Sequence, residues 1–126
     1  MSRRRAATLP AESEVDFQRA VLDAARLFGW RVAHFRPART AHGWRTPVQA
    51  DGAGFPDLIL CRGDRLIAAE LKRERGRLRA EQEAWLDALA VAGAETYTWR
   101  PSDWDAVIAA LQHPGSRFST TDEEVA

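Results

Sequence analysis

Three residues in the middle of the chain, Asp57, Glu70 and Lys72, have the side chains and spacing suited to metal-assisted hydrolysis of a phosphodiester. The stretch between them reads as a hairpin: a short apolar run from Asp57 to Cys61, turn residues Arg62-Gly63-Asp64, and a second run from Leu66 to Lys72. Carboxylates that begin one arm and end the other converge at the open end of such a hairpin. Lys72 lies two positions beyond Glu70 and projects to the same face, because strand side chains alternate. Hard divalent cations favour oxygen ligands, and Asp57, Glu70 and the backbone carbonyl of Leu71 would offer them. A cation held there would acidify a water and offset charge on a phosphate, while the Lys72 ammonium orients the water or stabilises the transition state. Glu-Leu-Lys alone reads equally as an ion pair on an exposed strand. Its context favours the chemical reading: Gly54-Phe55-Pro56 leads into Asp57, apolar Ala68-Ala69 precedes Glu70, and Glu14 falls at the start of the inward stripe of a helix, where a carboxylate needs a reason.

The elements that must position these groups follow from periodicity. Ser13 reads as an N-cap with Asp16 as its capping-box partner, and Phe17, Val21, Ala24 and Phe28 recur at helical spacing up to Gly29. Trp30 to Arg36 alternates as a strand, with Trp30, Val32, His34 and Arg36 on one face. Residues 37–55 show no clear period and read as a long functional loop. After the hairpin, Gln82, Trp85, Leu86 and Leu89 mark a helix ending at Gly93, and Glu95 to Trp99 is a further strand. Ser102 caps a last helix with Asp105 as box partner and Trp104, Val107, Ile108 and Leu111 as its buried stripe, ended by Pro114 and Gly115. The expected fold is a mixed α/β domain, α-β-β-β-α-β plus a C-terminal helix, with a four-stranded sheet whose hairpins are antiparallel and whose last pair can be parallel across the helical crossover.

At 126 residues and 45% hydrophobic content, one domain is expected, spanning 13–112 between a basic arm (1–12) and an acidic, disordered tail (113–126). No apolar run approaches bilayer length, which points to a soluble protein of the cytoplasm without membrane partners. The lone Cys61 has no partner for a disulfide or zinc site and reads as a buried strand residue. Net charge is zero, which argues against a general nucleic-acid coat, but it is segregated. Residues 31–79 carry eleven Lys/Arg against five Asp/Glu, and residues 80–126 carry two against nine. The middle of the chain is therefore expected to face a polyanion.

The sequence resembles the PD-(D/E)XK nuclease superfamily through Pro56-Asp57 and Glu70-Leu71-Lys72, and more closely its VRR-NUC family of virus-type replication-repair nucleases. The likeness runs from Glu14-Val15-Asp16-Phe17-Gln18 through Gly29-Trp30, Gly54 to Leu60 and Gln82-Glu83-Ala84-Trp85-Leu86 to Tyr97-Thr98-Trp99-Arg100-Pro101. It implies a restriction-endonuclease-like core and Mg2+- or Mn2+-dependent cutting of branched DNA, similar to Holliday-junction resolvases, in phage replication, recombination or repair and commonly by a homodimer. By the same resemblance Asp57 and Glu70 are metal ligands, Lys72 is the catalytic lysine, Glu14 is a further acid on the metal, and Gln82 is a helix glutamine turned toward the lysine or a substrate phosphate. Relatives carry a Ser or Thr cap before that helix, and Leu78-Arg79-Ala80 stands here instead. Gln82 reads otherwise as a buried polar group bonded to backbone.

Arg36, Arg39, Arg45, Arg73, Arg75, Arg77 and Arg79 are candidate phosphate contacts, each of which reads also as solvated surface. Trp44 is placed to stack on an unpaired base. His34 and Arg36 could reach DNA from the strand face they share with Trp30, though a lone strand histidine is more often structural, and His42 lies in the long loop. Trp85, Trp99 and Trp104 read as core. Two other functions fit the same residues: a degenerate module that grips branched DNA without cutting it, and a protein-interaction subunit of a replication complex acting through its acidic C-terminal region.

Overall fold

The computed structural model describes residues 14–35, 38–40, 43–45 and 48–115. The amphipathic period beginning at Glu14 yields α1 (Glu14–Leu27), which buries Phe17, Val21, Ala24 and Ala25. Four strands form one sheet: β1 (Arg31–His34), β4 (Leu58–Arg62), β5 (Arg65–Leu71) and β6 (Glu95–Trp99), in the order β1-β4-β5-β6. β1/β4 and β4/β5 pair antiparallel, and β5/β6 pair parallel. The crossover from β5 to β6 is α2 (Ala80–Val91), and α3 (Trp104–Gln112) follows a 3-10 turn at Pro101–Asp103. This is the mixed α/β core, with its four-stranded mixed sheet flanked by helices, that the periodicities imply. Among the described residues no helix is long and apolar enough to cross a membrane.

One sheet face carries the main core. Trp30, Leu58, Leu60, Ile67, Ala69, Leu71 and Trp99 pack there with Phe17 and Val21 of α1 and Val107 and Leu111 of α3. Strand register then places Asp57, Ile59 and Cys61 on the other face, with Leu66, Ala68 and Glu70 of β5. α2 covers this second face only at its β5/β6 end, where Gln82 and Leu86 are buried. Cys61 is therefore exposed, not the buried residue its apolar neighbours suggest, and Leu66 opposite it is 40% exposed.

Three other expectations are corrected. The segment 37–55 is not without structure: β2 (Ala38–Thr40) and β3 (Gly43–Arg45) pair as a small antiparallel hairpin, too short to show a period in sequence. Ser102 does not cap α3. Its hydroxyl and N–H donate to the carboxylate of Glu74, while Asp103 Oδ2 accepts the Arg100 N–H at 2.9 Å within the 3-10 turn that opens the helix. Trp85 is half-buried and lies outside the core cluster; its Nε1 donates to Asp51 O at 3.0 Å and its ring meets Phe55 edge-on. Trp99 is core as expected, and Trp104 is half-buried and packs against the core cluster. The basic arm, Ser13, Arg36, His42 and residues 116–126 lie outside the described residues.

The end of the sheet away from Asp57 is closed by a latch that no short pattern announces. Trp30 Nε1 and Arg62 Nη1 both donate to Leu111 O, at 2.9 and 2.8 Å, and Arg62 Nη2 and Arg65 Nη1 donate to His113 O. Arg65 is held by a two-pronged pair with Glu95, and both guanidinium groups lie over the Trp30 ring at 4.6 and 4.9 Å. Last-turn carbonyls of α3 thus find charged donors in the hairpin. This latch fixes α3 over the core and leaves the opposite end of β4 and β5 for the acidic groups.

Candidate active site

Asp57 is delivered by the segment 48–56, which docks on the first turn of α2. Gly54 has φ +85°, and a Cβ there would come within 2.6–2.8 Å of Glu81 Cβ, C and O. Only glycine permits both that conformation and that approach. Phe55 then lies edge-on between Phe35 and Trp85, with centroids at 5.3 and 5.0 Å, and Pro56 is fully buried. Phe35 N–H donates to Asp57 O at 2.8 Å, which ties the residue to the end of β1. We expect Gly54→Ala to cost about 2–4 kcal/mol from the left-handed conformation and the overpacking together. Chemical denaturation measures this, and an unchanged midpoint would remove the docking contact from the account.

The Asp57 carboxylate crosses to β5, where Oδ2 accepts the Leu71 N–H at 2.8 Å. Glu70 is 3% exposed and belongs to the same face. Its Oε2 accepts Gln82 Nε2 at 2.8 Å and lies 3.8 Å from Lys72 Nζ, whose side chain is itself only 16% exposed. The other oxygen, Glu70 Oε1, is buried without a partner. A bare buried carboxylate oxygen is costly unless a proton or a cation meets it. The pKa directions agree. Burial, then the nearby Asp57 charge, pushes Glu70 up to about 8, against the lowering pull of Lys72. Burial also raises Asp57, opposed by the Leu71 N–H and by Lys72. Without a cation, burial and mutual charge thus push this pair of carboxyls toward the protonated form.

Gln82 is buried and makes both of its bonds inside the protein. Its Oε1 accepts the Arg79 N–H at 2.8 Å, the arm of a capping box that reaches back from the first turn, while Arg79 itself makes no side-chain cap. With the amide oxygen so engaged, Nε2 is left to donate to Glu70. One side chain thus bonds both to the backbone and to Glu70.

Glu14 is not an inward carboxylate. It stands at the first residue of α1 with its side chain 49% exposed and its Oε1 3.9 Å from Arg73 Nε, although its charge still reaches Asp57. Among the described residues no three His, Cys, Asp or Glu side chains are grouped to hold a metal ion, so Glu14 does not join Asp57 and Glu70 as a formed ligand set. His34 also lies apart. It is in register with the core residue Leu58, on the face opposite Asp57, and lines a groove of about 310 Å3 with Val15, Gln18, Arg19, Leu22, Asp23 and Arg26 of α1.

Arg73, Arg75, Arg77 and Arg79 are all exposed, alternating with half-buried Glu74, Gly76 and Leu78. This presents four guanidinium groups to solvent on the loop that leaves the site. The loop is fixed from beneath by Glu74 on Ser102 and by Arg100 Nη2 donating to Gly76 O at 2.7 Å. Sequence reading misses these clasps, whose partners are 24 and 28 residues apart. Arg39 and Arg45 fall on β2 and β3, Arg39 in register with Trp44.

A mixed sheet whose two central strands bring a buried and a half-buried carboxyl together with a lysine at one end, beside a row of exposed arginines, has the layout of a nuclease-type domain. The family is specific: the model of the VRR-NUC domain matches residues 33–100, and the chain belongs to that family. The matched span contains Asp57, Glu70, Lys72, Gln82 and the arginine row, whereas Glu14 and α3 lie outside it. No curated protein and no solved structure matches the chain.

Proposed function

We propose that residues 13–112 form a divalent-metal-dependent DNA endonuclease that hydrolyses phosphodiester bonds, with Asp57, Glu70 and Lys72 as its catalytic set. The observation that carries this reading is the unpartnered, buried Glu70 Oε1 beside Asp57 and Lys72. The donor set suits Mg2+ or Mn2+, which are bound through one or two carboxylates and keep other positions for water and substrate phosphate. Asp57, Glu70 and the Leu71 carbonyl would hold the ion, with Glu14 as a further acid that would reach it directly or through a water. Such a cation supplies positive charge against the scissile phosphate and acidifies the attacking water.

The chain's own groups do the rest. Gln82 fixes the rotamer of Glu70, so the carboxylate is aimed before substrate arrives. Lys72 is placed to hold the nucleophilic water or to meet charge growing on the phosphate. Arg73, Arg75, Arg77 and Arg79, with Arg36, Arg39 and Arg45 from the hairpin segment, take the flanking phosphates. The family resemblance supports branched DNA as substrate, of the Holliday-junction or flap kind, a homodimer as the working form, and phage replication, recombination or repair in the cytoplasm as the setting.

The test is a labelled panel of four-way junctions, flaps, nicked and linear duplexes, incubated with Mg2+, with Mn2+ and with chelator. Cutting that requires metal and favours branched DNA is the expected result. Binding without cutting under every metal would make the domain a gripping module, and neither binding nor cutting would leave the protein-interaction reading. Sedimentation of the protein on a junction measures whether two copies assemble.

A further inference from the structure

Among the described residues Glu14 pairs with Arg73, and it is an acid whose charge acts on Asp57 without being grouped with the site. The Glu14–Arg73 pair is a single exposed contact at 3.9 Å, with the side chains 49% and 71% exposed. Arg73 immediately follows Lys72 at the end of β5, so it stands where the arginine row meets the carboxyls. The negative charge of Glu14 acts on Asp57, as the least of the influences on that carboxyl. Yet no third acid is grouped with those two among the described residues. A carboxylate near a site but engaged elsewhere, by a side chain suited to bind phosphate, is an arrangement that substrate can change.

We propose that Arg73 is a positioning residue that holds Glu14 away from the Asp57–Glu70 pair until a DNA phosphate takes its guanidinium, releasing Glu14 to help load the cation. This rests on the metal-dependent reading above and adds to it a coupling between DNA and metal. Guanidinium groups bind phosphate through two parallel N–H bonds, which a lone 3.9 Å contact does not match. An exposed ion pair of this kind is worth little, so the exchange is easily reversed. Once Arg73 turns to the phosphate, a third carboxylate is free to face a cation that Asp57 and Glu70 hold. By linkage, whatever DNA adds to cation affinity, the cation adds to DNA affinity. The device keeps the site under-loaded until substrate is present.

The experiment measures Mn2+ binding by the full chain, through calorimetry or the Mn2+ paramagnetic signal, with and without a hydrolysis-resistant phosphorothioate duplex. Without DNA, Arg73→Ala is expected to bind Mn2+ about two- to five-fold more tightly than the native chain, the range an exposed pair can supply. Arg73→Lys should fall between. In the Glu14→Gln background the gain from Arg73→Ala should vanish, and the duplex should tighten Mn2+ binding more for the native chain than for Arg73→Ala. A gain that persists with Glu14→Gln is a plain field effect of removing a cation and overturns the proposal, as does no gain at all. Those failures leave the nuclease reading intact if the native chain binds Mn2+ and cuts. A folded native chain that binds no Mn2+ sinks both.

Discussion

Lys72→Ala is expected to lower the cleavage rate by about 10^2- to 10^3-fold, the loss usual for one donor aimed at developing charge. DNA affinity should stay within about three-fold, since a single ammonium is lost among many phosphate contacts. The structure adds a second signature. Lys72 lies 3.8 Å from Glu70 Oε2 and pulls the pKa of both Glu70 and Asp57 downward. Without it both carboxyls bind their proton more tightly, so the cation must compete with that proton to a higher pH. The pH–rate profile at fixed Mg2+ should therefore move to higher pH as the rate falls. Lys72→Arg keeps the charge, so it should retain much of the native pH midpoint but not the rate, because the planar guanidinium cannot take the ammonium's place. Native rates from Lys72→Ala would remove the lysine from the chemistry and leave it as a neighbour of Glu70.

The parts of this site that sequence makes legible are those governed by a short period. Alternation along β5 puts Glu70 and Lys72 on one face, and the turn residues at 62–64 bring Asp57 beside them; both hold in the structure, with each strand boundary moved by one residue. The parts that are not legible depend on how elements dock. Helical spacing places Gln82 on the inner face of α2 but cannot say that its amide meets Glu70, because that depends on the angle between helix and sheet. Cys61 sits in an apolar run yet is exposed, since α2 covers only the other end of that face. Periodicity also places Glu14 on the inner stripe of α1, whereas its side chain is 49% exposed and lies 3.9 Å from Arg73. The Trp30, Arg62 and Arg65 latch joins residues up to 81 positions apart, beyond the reach of any local pattern.

The second large effect concerns stability and pH. Burial and the Asp57 charge lift Glu70 from 4.5 to about 8, and Asp57 is lifted as well. Between those two values the folded, metal-free protein keeps a proton that the unfolded chain has already released. Unfolding in that window therefore sheds a proton, and stability must fall as pH rises through it, levelling off above about 8. In chelator, the melting temperature should drop by about 5–10 °C between pH 5 and pH 8.5, well outside the error of a thermal scan. Glu70→Gln substitutes a neutral group of the same shape that can still accept from Gln82, so most of the slope should disappear and the variant should melt above the native protein at pH 8.5. Added Mg2+ should restore the native protein at high pH, where a cation takes the place of the proton, and do little for Glu70→Gln. Loss of activity with a gain in stability would mean that Glu70 is kept for its chemistry at the expense of the fold. A native curve flat from pH 5 to 8.5 in chelator would show that the two carboxyls do not share a proton, and the dry, crowded site inferred from the bare Glu70 oxygen would have to be abandoned.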